Sequence, residues 1–246
     1  MRRMKTRIKT PAFDWICHGC AEQSPLSEEH TCPECGEPRT LYALAEPSAR
    51  LMWRTPASLW HYASLLPVSQ RRCRITLGEG ATPLMAAPRL AKAFGFGELR
   101  IKNEAANPTG SFKDRQVSVG ISHARELGAG TAAAVSSGNV AASLAAYAAH
   151  AGMRAVVFMH AHAGAGKITQ AALYGATVIR VDSAAPSAVF RLCMDACAKY
   201  GWAHLSTAGM YEPYNVEGAK TIAYELFQQY KGDLPDWVVM PVGGGG

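Results

Sequence analysis

Short apolar, β-prone segments alternate with helical segments from about residue 81 onward, and this alternation constrains the fold more than any other feature. The segments predicted to be strands are Leu99–Lys102, Thr131–Val135, Ala155–Met159, Thr177–Val181, Ala203–Leu205 and Trp237–Met240. Helices are predicted between them, over Val140–His150, Gly166–Tyr174 and Ser187–Tyr200. Strands and helices that alternate in this way form parallel sheets with right-handed crossovers. We therefore predict an α/β fold built on a parallel sheet.

The last helical segment has the clearest periodicity, because its apolar residues recur every three or four positions: Val216, Ala219, Ile222, Ala223, Leu226, Phe227 and Tyr230. Four glycines, Gly243–Gly246, follow the last predicted strand, which is typical of loops that bind anions through backbone N–H groups. The helix expected after such a loop is absent. We therefore expect the sequence to be truncated at its C-terminus; a tag or linker scar is the alternative.

Composition and charge exclude several classes of protein. The chain has 246 residues, of which 48% are apolar and 18% charged, so it has enough apolar material for a core. It contains no run of about 18 apolar residues, which argues against a membrane span. The net charge is +6, but +5 of it comes from a short basic tip that we interpret as a frayed terminus: Arg2, Arg3, Lys5, Arg7 and Lys9. No apolar signal segment follows this tip, so we predict a cytoplasmic protein without disulfides.

Four of the seven cysteines form two Cys-x2-Cys pairs, Cys17 with Cys20 and Cys32 with Cys35, eleven residues apart. Four thiolates at this spacing are the ligand set of a structural zinc ion. A ribbon held by packing alone, or reduced thiols without metal, is the alternative. Acidic residues far outnumber basic ones around these pairs, which argues against nucleic-acid binding. We divide the chain into a zinc-ribbon-like module (1–45), a connector arm (46–80) and the α/β region (81–246).

The segment Ser111-Phe112-Lys113-Asp114-Arg115 carries the most chemical information. It follows the turn Asn107–Gly110 and opens a helix that is predicted to end near Leu127. A lysine at a helix N-terminus is electrostatically unfavourable, so its pKa is lowered and it is a candidate amine nucleophile. Taken alone, this feature is more typical of an ordinary surface lysine.

Two further turns carry hydroxyl groups. Ser136-Ser137-Gly138-Asn139 lies between a predicted strand and a predicted helix, where hydroxyl and backbone N–H groups suit a carboxylate or a phosphate. An ordinary helix N-cap would look the same. The second turn, Leu77–Leu84, is flanked by glycine and carries Thr82.

Together these motifs resemble the fold-type II pyridoxal-phosphate enzymes. The shared motifs are Gly-Glu-Gly-x-Thr-Pro-Leu, Lys-x-Glu-x-x-Asn-Pro-Thr-Gly-Ser-Phe-Lys-Asp-Arg, Ser-Ser-Gly-Asn and the final glycine loop, and they extend over about residues 77–246. Within this family the chain looks most like the threonine synthases, some of which carry an N-terminal cysteine ribbon. The resemblance implies a parallel-sheet catalytic region over residues 81–246 that is incomplete at its C-terminus.

The resemblance also implies roles for individual residues. Lys113 would form the Schiff base with the cofactor aldehyde and would then move protons at the substrate carbons. Phe112 would pack beside the cofactor ring, Asn139 would bind its hydroxyl group, and Gly243, Gly244, Gly245 and Gly246 would hold its phosphate. The substrate would be bound by Thr82, Ser136, Ser137 and Gly138.

The implied reaction converts O-phospho-L-homoserine and water to L-threonine and phosphate. Two departures from the threonine synthase pattern favour a different substrate: Asn215 stands where an arginine binds the substrate phosphate, and the final loop lacks asparagines. The alternatives are a threonine or serine dehydratase, or β-replacement enzyme, of the same fold, and an inactive fragment that only binds a partner through its ribbon. We expect an amino-acid substrate, structural zinc and possible homodimers, with no nucleic-acid or membrane partner.

Overall fold

A computed structural model describes residues 13–27, 29–44, 51, 54–183, 185–207, 209 and 211–242. The strands are β1 (Phe13–Cys17), β2 (Gln23–Pro25), β3 (Arg39–Ala43), β4 (Leu84–Ala86), β5 (Arg100–Lys102), β6 (Thr131–Val135), β7 (Arg154–His160), β8 (Thr177–Val181) and β9 (Ala203–His204). The helices are α1 (Pro88–Phe94), α2 (Lys113–Glu126), α3 (Asn139–His150), α4 (Ala165–Leu173), α5 (Pro186–Tyr200) and α6 (Pro213–Gln229). None of these helices is both long and apolar enough to cross a lipid bilayer.

The centre of the fold is a parallel sheet with the strand order β8-β7-β6-β9, which confirms the predicted α/β architecture. Side chains alternate between its two faces, as the pleat of a strand requires. Ala132 and Val157 pack against α2 and α3 on one face, whereas Ala133 and Val156 pack against α5 on the other. Because both faces are covered, the central strands β6 and β7 are mostly apolar on both sides, whereas β8 carries the exposed Thr177 and Arg180.

Two predicted strands differ from the structure. Leu99–Lys102 contains β5, but this strand pairs with β4 in a separate antiparallel hairpin rather than with the parallel sheet. Trp237–Met240 is not a strand: within the described residues it has no pairing partner, and Trp237 is 86% exposed. Its apolar, β-prone composition is insufficient because a strand also needs a neighbour that satisfies its backbone groups. The predicted glycine loop, Gly243–Gly246, and Trp53 of the connector arm lie outside the described residues.

Helices α2 and α6 cross at unusually close range. A Cβ atom on Gly218 would lie 2.0 Å from the backbone oxygen of Arg115. At Gly120 a Cβ would lie 3.3 Å from the side chain of Asn215. Glycine at these crossing points lets the two backbones approach, so α6 is held directly against the first turns of α2.

The N-terminal module is a three-stranded antiparallel sheet with the order β2-β1-β3, and it rests on α6. Its buried side chains Phe13, Trp15 and Leu41 pack against Tyr214. The ring of Tyr214 also stacks on His123 of α2, with centroids 4.1 Å apart. An aromatic bridge therefore joins the cysteine module to the helix that begins with Lys113.

Glu217 and Lys220 form a second contact between this module and α6. The Lys220 amine donates to the backbone oxygen of Leu41 in β3 and lies 2.7 Å from Glu217 Oε1. Glu217 is only 2% exposed. Burial raises the pKa of its carboxyl group to about 7, although the positive charge of Lys220 partly opposes this effect.

The pH dependence of stability should reveal the buried carboxyl group of Glu217. Its folded-state pKa lies above the usual value, so its stabilising contribution is complete below pH ~4.5 and is lost as the pH rises through about 7. In the unmodified protein this loss should lower the free energy of unfolding by up to about 3 kcal/mol as the pH rises. We expect Glu217→Gln to abolish this part of the pH dependence. Urea unfolding at a series of pH values measures it. The exposed Asp195→Asn is the control, and an unchanged slope in Glu217→Gln contradicts the expectation.

Candidate active site

Lys113 is the first residue of α2 and follows a turn in which Gly110 adopts a φ of +83°, a conformation that favours glycine. Its Nζ atom donates to Gln116 Oε1 at 2.8 Å and lies 4.3 Å from the centre of the Phe112 ring. No carboxylate among the described residues forms an ion pair with it. Burial lowers the pKa of Lys113, so its neutral, nucleophilic form is more populated than in an exposed lysine.

Asp114, the next residue, joins the start of α2 to α3. Its carboxylate is fully buried and accepts hydrogen bonds from the backbone N–H and the hydroxyl of Thr109, both at 2.6 Å. It also accepts one from the Ser143 hydroxyl at 2.6 Å. Ser143 lies one turn after Asn139 on the same face of α3. The contact therefore brings Lys113 and the beginning of α3 to the same region.

The Ser136–Asn139 loop connects β6 to α3 at the carboxyl end of the parallel sheet. The Ser136 hydroxyl accepts a hydrogen bond from the Gly138 backbone N–H at 3.1 Å, whereas Ser137 and Asn139 are exposed. No side chain caps the N-terminus of α3, and its first turn carries no acidic residue. The N–H groups of Ala141 and Ala142 donate to the Gly138 backbone oxygen, so within the described structure those of Asn139 and Val140 are the ones open to an anion, which the helix dipole also favours.

Thr82, by contrast, belongs to a different cluster and is 2% exposed. Its hydroxyl donates to Glu104 at 2.6 Å and accepts from Arg115 at 3.1 Å. The Thr82 hydroxyl, predicted to bind the substrate, is therefore buried and already hydrogen-bonded to two side chains. The sequence shows a glycine-flanked turn here, but it does not show that Arg115 and Glu104 surround Thr82.

A buried ion pair holds this cluster together. Arg115 and Glu225 are both fully buried, and the guanidinium donates to the two carboxylate oxygens at 2.6 and 2.8 Å. Glu225 also accepts from Lys102 and from the backbone N–H groups of Ala81 and Thr82. Burial alone would raise the pKa of Glu225, but the hydrogen bonds from Arg115 lower it, so the carboxylate stays charged.

Lys113 and Phe112 thus lie at the start of α2, and the Asp114–Ser143 hydrogen bond joins this helix to α3, which begins after Ser136, Ser137 and Gly138 with Asn139. Sequence reasoning missed Gln116, the only side chain in the described structure that hydrogen-bonds the Lys113 amine. Its position three residues after Lys113 on one helix was the available signal, because residues at this spacing are neighbours.

The four predicted metal ligands lie together at the edge of the N-terminal sheet. The sulfur atoms of Cys17, Cys20, Cys32 and Cys35 are all within 4.8 Å of one another. Cys17 Sγ lies 3.4 Å from Cys35 Sγ, and Cys20 Sγ lies 3.7 Å from Cys32 Sγ. Zn–S bonds of about 2.3 Å in a tetrahedron separate the sulfurs by about 3.8 Å, so the cluster has the dimensions to hold a zinc ion.

The backbone around Cys17 favours its ionised form. The N–H groups of Cys20 and Gly19 point at the Cys17 sulfur, at 3.5 and 3.3 Å. These hydrogen bonds lower the pKa of Cys17 to about 6. The hydrogen bonds with Cys17 raise the pKa of the Cys20 and Cys35 thiols instead, so the geometry without metal favours a thiolate, the form that binds a metal, at Cys17.

Comparison with known proteins identifies the family. Residues 75–246 match the family described as "Pyridoxal-phosphate dependent enzyme". The chain belongs to the pyridoxal-phosphate-dependent enzyme family. This membership supports the fold-type II architecture that the motifs predicted.

The curated relatives of the chain include two threonine synthases. The chain is 40% identical to threonine synthase of Methanocaldococcus jannaschii over 189 residues. This match covers 76% of the chain and 46% of that relative. It is 42% identical over 190 residues to the enzyme of Methanosarcina acetivorans, covering 77% of the chain and 45% of that relative. The chain thus spans about half the length of the relatives it matches.

Solved structures of pyridoxal-phosphate enzymes share the fold. An aspartate racemase superposes with a TM-score of 0.56 at 28% identity, covering 61% of this chain and 46% of that one. Diaminopropionate ammonia lyase of Escherichia coli superposes with a TM-score of 0.59 over 73% of this chain and 56% of that one. At 21% identity, the second likeness shows the fold alone.

The residues at the start of α2 and α3 fit pyridoxal phosphate by their chemistry. Lys113 offers an amine with no carboxylate counter-ion among the described residues, which is what reaction with an aldehyde requires. The uncapped N-terminus of α3 offers N–H donors for a carboxylate or phosphate. Members of this family need both an amine and anion-binding groups.

The ion pair beneath this site should be essential for stability. We expect Glu225→Gln to lower the free energy of unfolding by about 3 kcal/mol or more, because Arg115 would keep only Glu104 as a counter-ion and Lys102 would lose its ion pair. Glu98→Gln breaks the exposed ion pair with Arg100 and should leave stability nearly unchanged. Chemical denaturation of both variants measures the difference. Equal effects of the two substitutions would show that the buried pair is not special.

Proposed function

We propose that the protein is a pyridoxal-phosphate-dependent lyase of the threonine synthase type. It would convert O-phospho-L-homoserine and water to L-threonine and phosphate. The observation that carries the proposal is the half-buried Lys113 amine at the start of α2, which has no carboxylate partner among the described residues. Identities of 40% and 42% to threonine synthases support the choice of reaction.

Lys113 has two tasks in this proposal. Its Nζ atom would hold the cofactor at its aldehyde group, and the free amine would accept and return protons at the substrate carbons. The lowered pKa suits both tasks, because it favours the neutral amine. Pyridoxal phosphate, when bound, supplies an electron sink for negative charge on the substrate.

The surrounding residues would bind and orient the cofactor and the substrate. Phe112 lies against the Lys113 amine and would pack beside the cofactor ring. The exposed Asn139 would bind the ring hydroxyl, while Ser136, Ser137 and Gly138 at the start of α3 would hold the substrate carboxylate. Gly243–Gly246 would hold the cofactor phosphate, as the sequence predicts.

A dehydratase or β-replacement reaction on serine or threonine is the second candidate. The observation that favours it is the position of Asn215, which is fully buried between α6 and α2 and donates to the backbone oxygen of Ser206 at 2.8 Å. A neutral, enclosed side chain does not provide the cation that a substrate phosphate prefers. A substrate without phosphate would not need it.

We also propose that residues 1–45 form a zinc ribbon whose metal is held by Cys17, Cys20, Cys32 and Cys35. Residues 46–80 would be the connector arm, and residues 81–246 the catalytic region. A small amino-acid substrate, a cytoplasmic location and a possible homodimer remain predictions.

The test of function combines substrates with a lysine variant. O-phospho-L-homoserine should release phosphate and threonine, and Lys113→Ala should abolish the visible absorbance of bound cofactor and lower turnover at least about a hundredfold. Lys92→Ala, at an exposed lysine of α1, is the matched control and should keep both properties.

Other results would decide between the alternatives. Keto acid and ammonia released from threonine or serine would favour the dehydratase. Visible absorbance that survives in Lys113→Ala would overturn the assignment of the lysine. A protein with neither cofactor absorbance nor turnover would favour a binding fragment.

The metal is tested separately. The purified protein should contain close to one zinc ion per chain, and Cys32→Ser should release it because three thiolates bind the ion less well than four. Loss of the metal in Cys32→Ser should leave the absorbance of bound pyridoxal phosphate unchanged. Cys73→Ser, at a buried cysteine outside the cluster, should retain the metal. Absence of zinc from the unmodified protein would contradict the proposal.

A further inference from the structure

Gln116 is the side chain that holds the Lys113 amine. It lies three residues after Lys113 on α2, and its Oε1 atom accepts a hydrogen bond from Lys113 Nζ at 2.8 Å. Gln116 is fully buried. In the described structure its Nε2 group has no hydrogen-bond partner.

This arrangement is unfavourable for stability. A buried amide N–H without an acceptor loses its bonds to water and gains nothing in return. A methionine has nearly the same length and would fill the same space without that penalty. The contribution of Gln116 therefore lies in its contact with Lys113 and not in packing.

The carboxylates of α2 and of the neighbouring ion-pair cluster make their contacts elsewhere, and burial is the cause of the lowered pKa of Lys113. The carboxylate of Asp114 is occupied by Thr109 and Ser143. Those of Glu104 and Glu225 are occupied by Arg115. A free carboxylate beside Lys113 would stabilise the charged form of its amine. A carboxamide such as that of Gln116 holds the amine and favours the charged form over the neutral one much less.

We propose that Gln116 is a positioning residue for Lys113 that holds the amine in both of its protonation states. Its oxygen accepts from the ammonium form. After a half-turn about the Cγ–Cδ bond, the unpartnered Nε2 group donates to the lone pair of the neutral form. Gln116 itself takes no proton. The inference that this aids cofactor capture rests on the function proposed for Lys113.

Two variants at this position separate positioning from structure. Gln116→Glu should raise the pKa of Lys113 by about one unit or more, because it places a carboxylate next to the amine. Gln116→Met should leave the urea denaturation midpoint unchanged or higher, and should slow the association of pyridoxal phosphate about tenfold, because the amine loses its fixed position.

The pKa is measured without cofactor, after hydroxylamine has released any that is bound. Competitive labelling with acetic anhydride over a range of pH, read by mass spectrometry of the peptide containing Lys113, gives its pKa; the exposed Lys92 serves as the internal reference. The association of pyridoxal phosphate is followed by its absorbance.

Each outcome has a defined meaning. An unchanged pKa of Lys113 in Gln116→Glu would overturn the proposal. So would a Gln116→Met variant with a lower denaturation midpoint and normal cofactor association, because Gln116 would then be only structural. If the pKa of Lys113 shifts as expected but no variant, including the unmodified protein, takes up pyridoxal phosphate, the positioning role stands and the proposed function fails.

Discussion

The structure depends on the buried ion pair between Arg115 and Glu225. It joins α2 to α6, and through Lys102, Ala81 and Thr82 it also joins both helices to the β4–β5 hairpin region. Such a pair is stable only when further hydrogen bonds satisfy its remaining donors and acceptors, and here they do. The close crossing of α2 and α6 at Gly218 gives the two charges their short distance.

Three successive residues in the first turn of α2 contact three different parts of the structure. Successive helical residues point about 100° apart, so neighbouring side chains face different surroundings. Lys113 faces Phe112 and Gln116, Asp114 binds Thr109 and α3, and Arg115 binds α6. The Lys113 amine is thus carried by a helical turn whose next two residues, Asp114 and Arg115, fix it to α3 and α6. Rigid anchoring of this kind is what a reactive group needs in order to meet a cofactor in one orientation.

The N-terminal module extends the same network outward. Trp15 and Leu41 pack on Tyr214, which stacks on His123 near the far end of α2. Both ends of α2 are therefore held by contacts from distant parts of the chain. The described part of the connector arm adds Leu59 and Leu66, which pack against Val119 in the middle of the helix.

The sequence by itself determined the α/β class, the strands Thr131–Val135 and Thr177–Val181, and the helix that begins at Lys113. It also determined the grouping of four cysteines as two Cys-x2-Cys motifs. These features depend on local periodicity or on fixed spacing, which the sequence displays directly. Only the tertiary structure decided that Trp237–Met240 has no strand partner, that Thr82 is enclosed by Arg115 and Glu104, and that Gln116 holds the Lys113 amine. Strand pairing and burial depend on residues far apart in the chain, and the orientation of a side chain depends on everything packed around it.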